Sequence, residues 1–95
     1  MYMIKNYTTS YTTWRKEITE RMIENKDKDI NNYVTTLTEE ELDIEFDQGH
    51  GQTKGLPFTL WTTWHVYFPI EYDGSEWCGS VERNPSSNPT WHQGG

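Results

Sequence analysis

The dipeptide Asp73-Gly74 constrains this chain more than any other two residues. It sits between two runs rich in β-formers, HVYFPIEY before it and SEWCGSVE after it. A two-residue loop between such runs takes the type I′ form, which needs positive φ at both central positions, and Asp-Gly supplies both. The turn fixes a register: Tyr72 faces Ser75, Glu71 faces Glu76, Ile70 faces Trp77, Phe68 faces Gly79 and Val66 faces Val81. Strand alternation then separates two faces. Val66, Phe68, Ile70, Tyr72, Trp77 and Val81 form the apolar one, which is expected in the core. His65, Tyr67, Pro69, Glu71, Glu76, Cys78 and Ser80 form the other, which is expected outside. Glu71 opposite Glu76 is mildly repulsive, so a solvated pair is expected. Pro69 has no N–H to give to a ladder, which favours an edge or a bulge.

Upstream of the hairpin, Phe58 to Thr62 reads as a further strand, with a turn near Thr63-Trp64. Tyr33 to Leu37, YVTTL, is β-branched and short, and reads as a strand. Between them, Asp47 to Leu56 holds three Gly in ten residues and reads as a flexible loop. Two segments carry helix signals. About Thr13 to Lys26, Trp14, Ile18 and Met22 recur every four residues as one apolar stripe, with Thr12 or Thr13 as N-cap. Thr38-Glu39-Glu40-Glu41 fits a capping box and predicts a short acidic helix from Glu39 to Phe46, with Leu42 and Phe46 turned inward. The flanks, 1–10 and 84–95, read as irregular or extended, with an edge strand around Tyr2 to Ile4 as one reading and Trp91 docked on the body.

The 95 residues allow one domain. Hydrophobic content is low at 33% and aromatic content high at 15%, so the core must rest on a few large rings. The expected fold is α+β: a small antiparallel sheet of three to four strands packed against the N-terminal helix, plus the short acidic helix.

The net charge of −7 argues against direct nucleic-acid binding, because a phosphate backbone is gripped by cations. It suits a partner protein with a basic surface. Cys78 is the lone cysteine, so no internal disulfide forms, in keeping with a reducing compartment. No apolar run approaches the length of a membrane span, and Met1 to Thr13 lacks the apolar centre of a signal peptide. A cytoplasmic setting is expected.

No catalytic motif stands out. His50, His65, Cys78 and His92 are the soft metal ligands, and none has a recognised spacing, so neither metal nor cofactor is expected. Cys78 and Ser80 lie on a strand without an activating motif. The candidate binding residues are of two kinds. Glu39, Glu40, Asp43 and Asp47 belong to a segment with six of the fifteen acids in nine residues. Trp61, Trp64, Tyr67 and Trp91 are aromatics that the register leaves off the apolar face, and Trp and Tyr are the usual interface anchors.

The string VYFPIEYDGSEWCGSVERNP, with FTLW before it and WHQGG at the end, resembles small uncharacterised proteins of tailed bacteriophages. The resemblance covers roughly the last forty residues. It implies an accessory protein made in a bacterial host cytoplasm, and it assigns no functional residue. The leading expectation is a non-enzymatic protein that binds and inhibits a host protein, such as a defence or nucleic-acid-handling factor. A homodimer is compatible with it. The alternatives are a nucleotide sponge that stacks its ligand on Trp61, Trp64 or Trp91, with the Gly49–Gly55 loop closing over it, and a small enzyme.

Overall fold

The computed structural model of the chain describes residues 11–49, 52–90 and 92. The expected edge strand around Tyr2 to Ile4, the docking of Trp91 and the placement of His50 lie outside them. The elements run β1 (Tyr11–Thr12), α1 (Trp14–Glu24), β2 (Val34–Thr35), α2 (Glu39–Leu42), β3 (Phe46–Asp47), β4 (Leu60–Trp61), β5 (His65–Tyr72) and β6 (Ser75–Glu82). The fold is α+β, with a four-stranded antiparallel sheet in the order β2-β4-β5-β6 and a two-stranded ribbon of β1 and β3. No helix among the described residues is long and apolar enough to cross a membrane.

The β5–β6 hairpin has the register that the turn dictates, from Tyr72↔Ser75 to His65↔Glu82. Asp73 and Gly74 take φ of 53° and 84°, as the type I′ turn requires. Pro69 lies two residues beyond Tyr67, where the β4 ladder has ended, so its missing N–H breaks no bond there.

Helix α1 begins at Thr13, whose hydroxyl accepts from the Lys16 N–H, and it buries Trp14, Ile18 and Met22. The Trp14 ring stands 4.8 Å from both Phe46 and Phe58, and its indole N–H donates to the Leu56 carbonyl at 2.9 Å. A fully buried Trp contributes about 4–6 kcal/mol of apolar transfer before entropy is counted. Gly55 lies against this ring: an added Cβ would fall 2.7 Å from Trp14 Cζ2. The capping box of α2 is complete, with Thr38 accepting from Glu41 N–H and Glu41 accepting from Thr38 N–H.

Four expectations need correction. The hairpin faces the other way: Tyr67, Glu76, Cys78 and Ser80 are buried against α1 and the core, while Val66, Phe68, Trp77 and Val81 are half-buried and Tyr72 is exposed. Of the face expected inside, Ile70 alone among the apolar side chains is buried. The polar positions can turn inward because distant groups satisfy them. Arg21 and Asn25 of α1 donate to Ser80, and Lys54 and Gly55 donate backbone N–H groups to Glu76 at 2.6 and 2.9 Å. For the same reason Glu76 is not a solvated partner of Glu71. The short helix ends at Leu42, and Phe46 is in a strand, paired with Thr12. The strand expected over Tyr33 to Leu37 is confined to Val34–Thr35, and that over Phe58 to Thr62 to Leu60–Trp61.

Candidate functional site

Cross-strand pairing sorts the sheet into two rows that share faces. Thr35, Leu60, Tyr67 and Ser80 lie opposite one another on the inner face, and Val34, Trp61, Val66 and Val81 on the outer. Within the strands the outer face continues through Phe68, Ile70, Trp77 and Gly79, and none of these positions is charged. No described helix packs across it. Val34 is 67% exposed and Tyr72 57%. The exposed Asp73 stands at the turn end of this face and the exposed base Arg83 at the other, while Glu71 and Glu82, also exposed, alternate to the inner side by the register.

The inner face holds a buried carboxylate. Helix α1 ends in a Schellman motif: Asp27 N–H reaches the Met22 carbonyl at 2.9 Å and Lys26 N–H the Ile23 carbonyl at 3.0 Å. Lys26 occupies the left-handed position with φ of 56°, where glycine is the unstrained residue. The motif turns the chain back and drops the Asp27 side chain onto the sheet. There Asp27 Oδ2 accepts from the Thr62 hydroxyl at 2.6 Å, the Tyr67 phenol at 2.8 Å and His65 Nδ1 at 3.2 Å. Its Oδ1 accepts from Asp29 N–H at 3.0 Å. Burial disfavours the charge, but these donors, Thr62 foremost, outweigh it and hold the Asp27 pKa below the usual carboxylate range. Burial, aided by the Asp27 charge, pushes the Tyr67 phenol up, so it stays a donor to Asp27.

A cleft of about 160 Å³ opens beside this network. Arg21, Asn25, His65, Ser80 and Glu82 line it, with the segment from Asn88 to Thr90 at one side. Asn25 Nδ2 bridges the Tyr67 and Ser80 hydroxyls at 3.2 and 3.0 Å, and Arg21 Nε donates to Ser80 at 3.1 Å. Because Asp27 can only accept, His65 carries its proton on Nδ1 and presents Nε2 as the remaining ring nitrogen. Glu82 is paired with Ser86 and Asn88, and these bonds lower its pKa.

The residues expected to bind do not form one surface. Trp61 is half-buried on the outer face, and Trp64, 54% exposed, stands at the β4–β5 corner. Tyr67 is the exception: it is fully buried, because the hairpin is turned inward and Asp27 and Asn25 take its hydroxyl. Glu39 and Asp43 have an internal partner in Arg15, each at 2.7 Å, while their carboxylates stay open to water. Those hydrogen bonds, Asp43 first, raise the Arg15 pKa. Glu40 is exposed, and Asp47 lies in β3, opposite Tyr11. Trp91 lies outside the described residues.

The chemistry open to reactive groups is narrow. Cys78 is buried, and burial pushes its thiol up to about 12, so it is no nucleophile at neutral pH. Among the described residues no group of three His, Cys, Asp or Glu side chains is placed to hold a metal ion. Arg83 and Trp61 line one groove, but the Lys54 backbone N–H is bonded to Glu76, which anchors that residue about 20 Å away along β6, so the two bases do not converge on a phosphate. Sequence reading had no sign of the Asp27 network, since its members lie 35 to 40 residues apart. The signal available was local: an Asp directly after a helix end. Comparison with protein-family models, curated proteins and solved structures gives no match.

Proposed function

We infer that the chain is a non-enzymatic accessory protein that binds and inhibits a bacterial host protein through the outer face of its sheet. The bacterial setting rests on the resemblance to tailed-phage proteins. The observation that carries the binding is the uncharged aromatic face of Trp61, Val66, Phe68 and Trp77 on a chain of net charge −7. Aromatic and aliphatic side chains in a charge-poor centre with a polar rim are the anatomy of an interface. The net charge of −7 selects the partner: an apolar patch bordered by Lys and Arg complements it. A second copy of the chain would bring two charges of −7 together, which disfavours self-association. A host factor that handles nucleic acid, one of defence included, grips phosphates with a basic surface of the required kind, and the exposed Glu39, Glu40 and Asp43 would steer its approach.

Affinity purification from bacterial lysate with the wild type and with Phe68→Lys tests this, each sample checked for fold by circular dichroism. Phe68→Lys is expected to abolish capture of a basic partner, and joint reversal of Glu39, Glu40 and Asp43 to weaken it at low salt. Capture that survives Phe68→Lys would overturn the proposal. So would a wild-type dimer by light scattering that Phe68→Lys converts to monomer, since the face would then be a self-interface.

A further inference from the structure

The cleft beside Asp27 and His65 is independent of the outer face and has no part in the function above. Its floor has unspent hydrogen-bonding capacity. Ser80 is only 6% exposed, and its oxygen already accepts from Arg21 Nε and Asn25 Nδ2. Its own O–H therefore points at no protein acceptor among the described residues, and it lines the cleft. A buried hydroxyl left without an acceptor is uncommon and calls for a partner. Asn25 Oδ1 is an acceptor in the same position, and His65 Nε2 is likewise left unengaged among the described residues, since the other atoms of both side chains are the ones engaged.

The charges around the cleft exclude an anionic ligand. Arg21 is the one fixed cation, and it is bridged to Glu24 at 3.1 Å. Glu82 lies directly across the ladder from His65, and the Asp27 carboxylate lies behind the ring. The whole chain adds a charge of −7. A phosphate would meet more acids than bases. A flat heteroaromatic is also a poor fit, because such pockets are mostly apolar, whereas here only Val81 and Pro89 are apolar.

We propose that this cleft binds a small uncharged polyhydroxyl ligand of the chemistry of one sugar unit. Each hydroxyl of such a ligand both donates and accepts, which suits a floor that offers a donor at Ser80, acceptors at Asn25 and Glu82, and His65 Nε2, which a hydroxyl can meet in either role. Trp64 supplies an apolar ring in the adjoining cleft, which shares His65 and Glu82 with this one. A sugar ring presents C–H groups to such a face while its hydroxyls reach the floor. The volume of about 160 Å³ suits one unit and not a chain.

The test is titration of the ¹⁵N-labelled protein, followed by NMR, with glucose, galactose and N-acetylglucosamine, and in separate arms with inorganic phosphate and adenosine. The expected result is a saturable shift at the amides of Asn25, His65 and Ser80 with at least one neutral sugar. Ser80→Ala should weaken that binding about tenfold, the value of a hydrogen bond made from a buried group. Because Ser80→Ala also removes an acceptor from Arg21 and Asn25, Glu82→Ala at an exposed position is the second variant: it releases Ser86 and Asn88 but leaves the bonds among Arg21, Asn25 and Ser80 in place, and it should weaken binding. Shifts with phosphate or adenosine but with no sugar would overturn the proposal. No shift in any arm, or sugar shifts unchanged in both variants, would overturn it equally.

Discussion

The two faces of the sheet divide labour in an order opposite to their hydrophobicity. The outer row, Val34, Trp61, Val66 and Val81, is the more apolar, yet the inner row, Thr35, Leu60, Tyr67 and Ser80, is the one packed against the core. Apolar content alone would have placed them the other way. What decides the orientation is the supply of partners. Trp14, Ile18 and Met22 bring apolar surface to the inner face, and Arg21, Asn25, Asp27 and two backbone N–H groups satisfy every polar side chain that the inner face buries, save the Ser80 O–H. A buried polar group that finds its hydrogen bonds costs little; one that does not costs about 1–3 kcal/mol. Among the described residues the outer face meets no such partners.

This contrast can be broken by substitution, and the largest effect is expected from the ring at its centre. Trp14→Ala should lower stability by about 3–5 kcal/mol in urea unfolding, whereas Val34→Thr on the outer face should stay within about 0.5 kcal/mol. Equal losses would mean that both faces are core.

The next effect sharpens the polar half of the inner face. Asp27→Ala leaves Thr62, Tyr67 and His65 without their acceptor and should cost about 3 kcal/mol at neutral pH. The folded pKa of Asp27 lies below its unfolded value of about 3.9. Its contribution is thus present above that pH and is lost as pH falls through the folded value. Glu17 acts in the opposite sense. Burial, only partly offset by the Thr12 hydroxyl bond, raises its pKa, so its contribution favours the fold at low pH and is lost as pH rises through the raised value. Acid unfolding of the wild type should therefore steepen below pH 4, and Asp27→Ala should flatten that limb. An unchanged acid limb would show that Asp27 is not ionised in the network.

A smaller effect concerns the turn that delivers Asp27. Lys26 sits in left-handed backbone, so Lys26→Gly should stabilise the protein by about 0.5–1 kcal/mol through relief of that strain. Calorimetry would register a rise in Tm. A fall would place the value of Lys26 in its side chain.

How much of this was legible in the sequence follows from distance along the chain. The hairpin register, the Trp14–Ile18–Met22 stripe and the Thr38–Glu41 capping box depend on residues at most a few positions apart, and each formed as read. Phe46 was legible as apolar but not as a strand residue, because its ladder partner Thr12 is remote. The facing of the hairpin was hidden for the same reason. Glu76, Ser80 and Tyr67 look like solvent-facing residues until Lys54, Gly55, Arg21, Asn25 and Asp27 are known to be beside them. Trp61 and Trp64 were identifiable as interface candidates by type. The acidic helix was visible as well, but not the hold of Arg15 on Glu39 and Asp43, which comes from a separate helix. The cleft at Ser80 left no local trace at all.

The facing of the hairpin bears the whole account, and thiol labelling measures it directly. Cys78 and Val81 lie on the same strand at opposite parity, one inside and one outside. Labelling of the native protein by a water-soluble disulfide reagent should be slow at Cys78, limited by unfolding, because the thiol is buried and held protonated with a pKa pushed up to about 12. In a Cys78→Ser background, Val81→Cys should react many times faster without unfolding. Fast labelling at Cys78 with protection at position 81 would show that the hairpin faces the other way and would contradict both the buried Asp27 network and the open outer face.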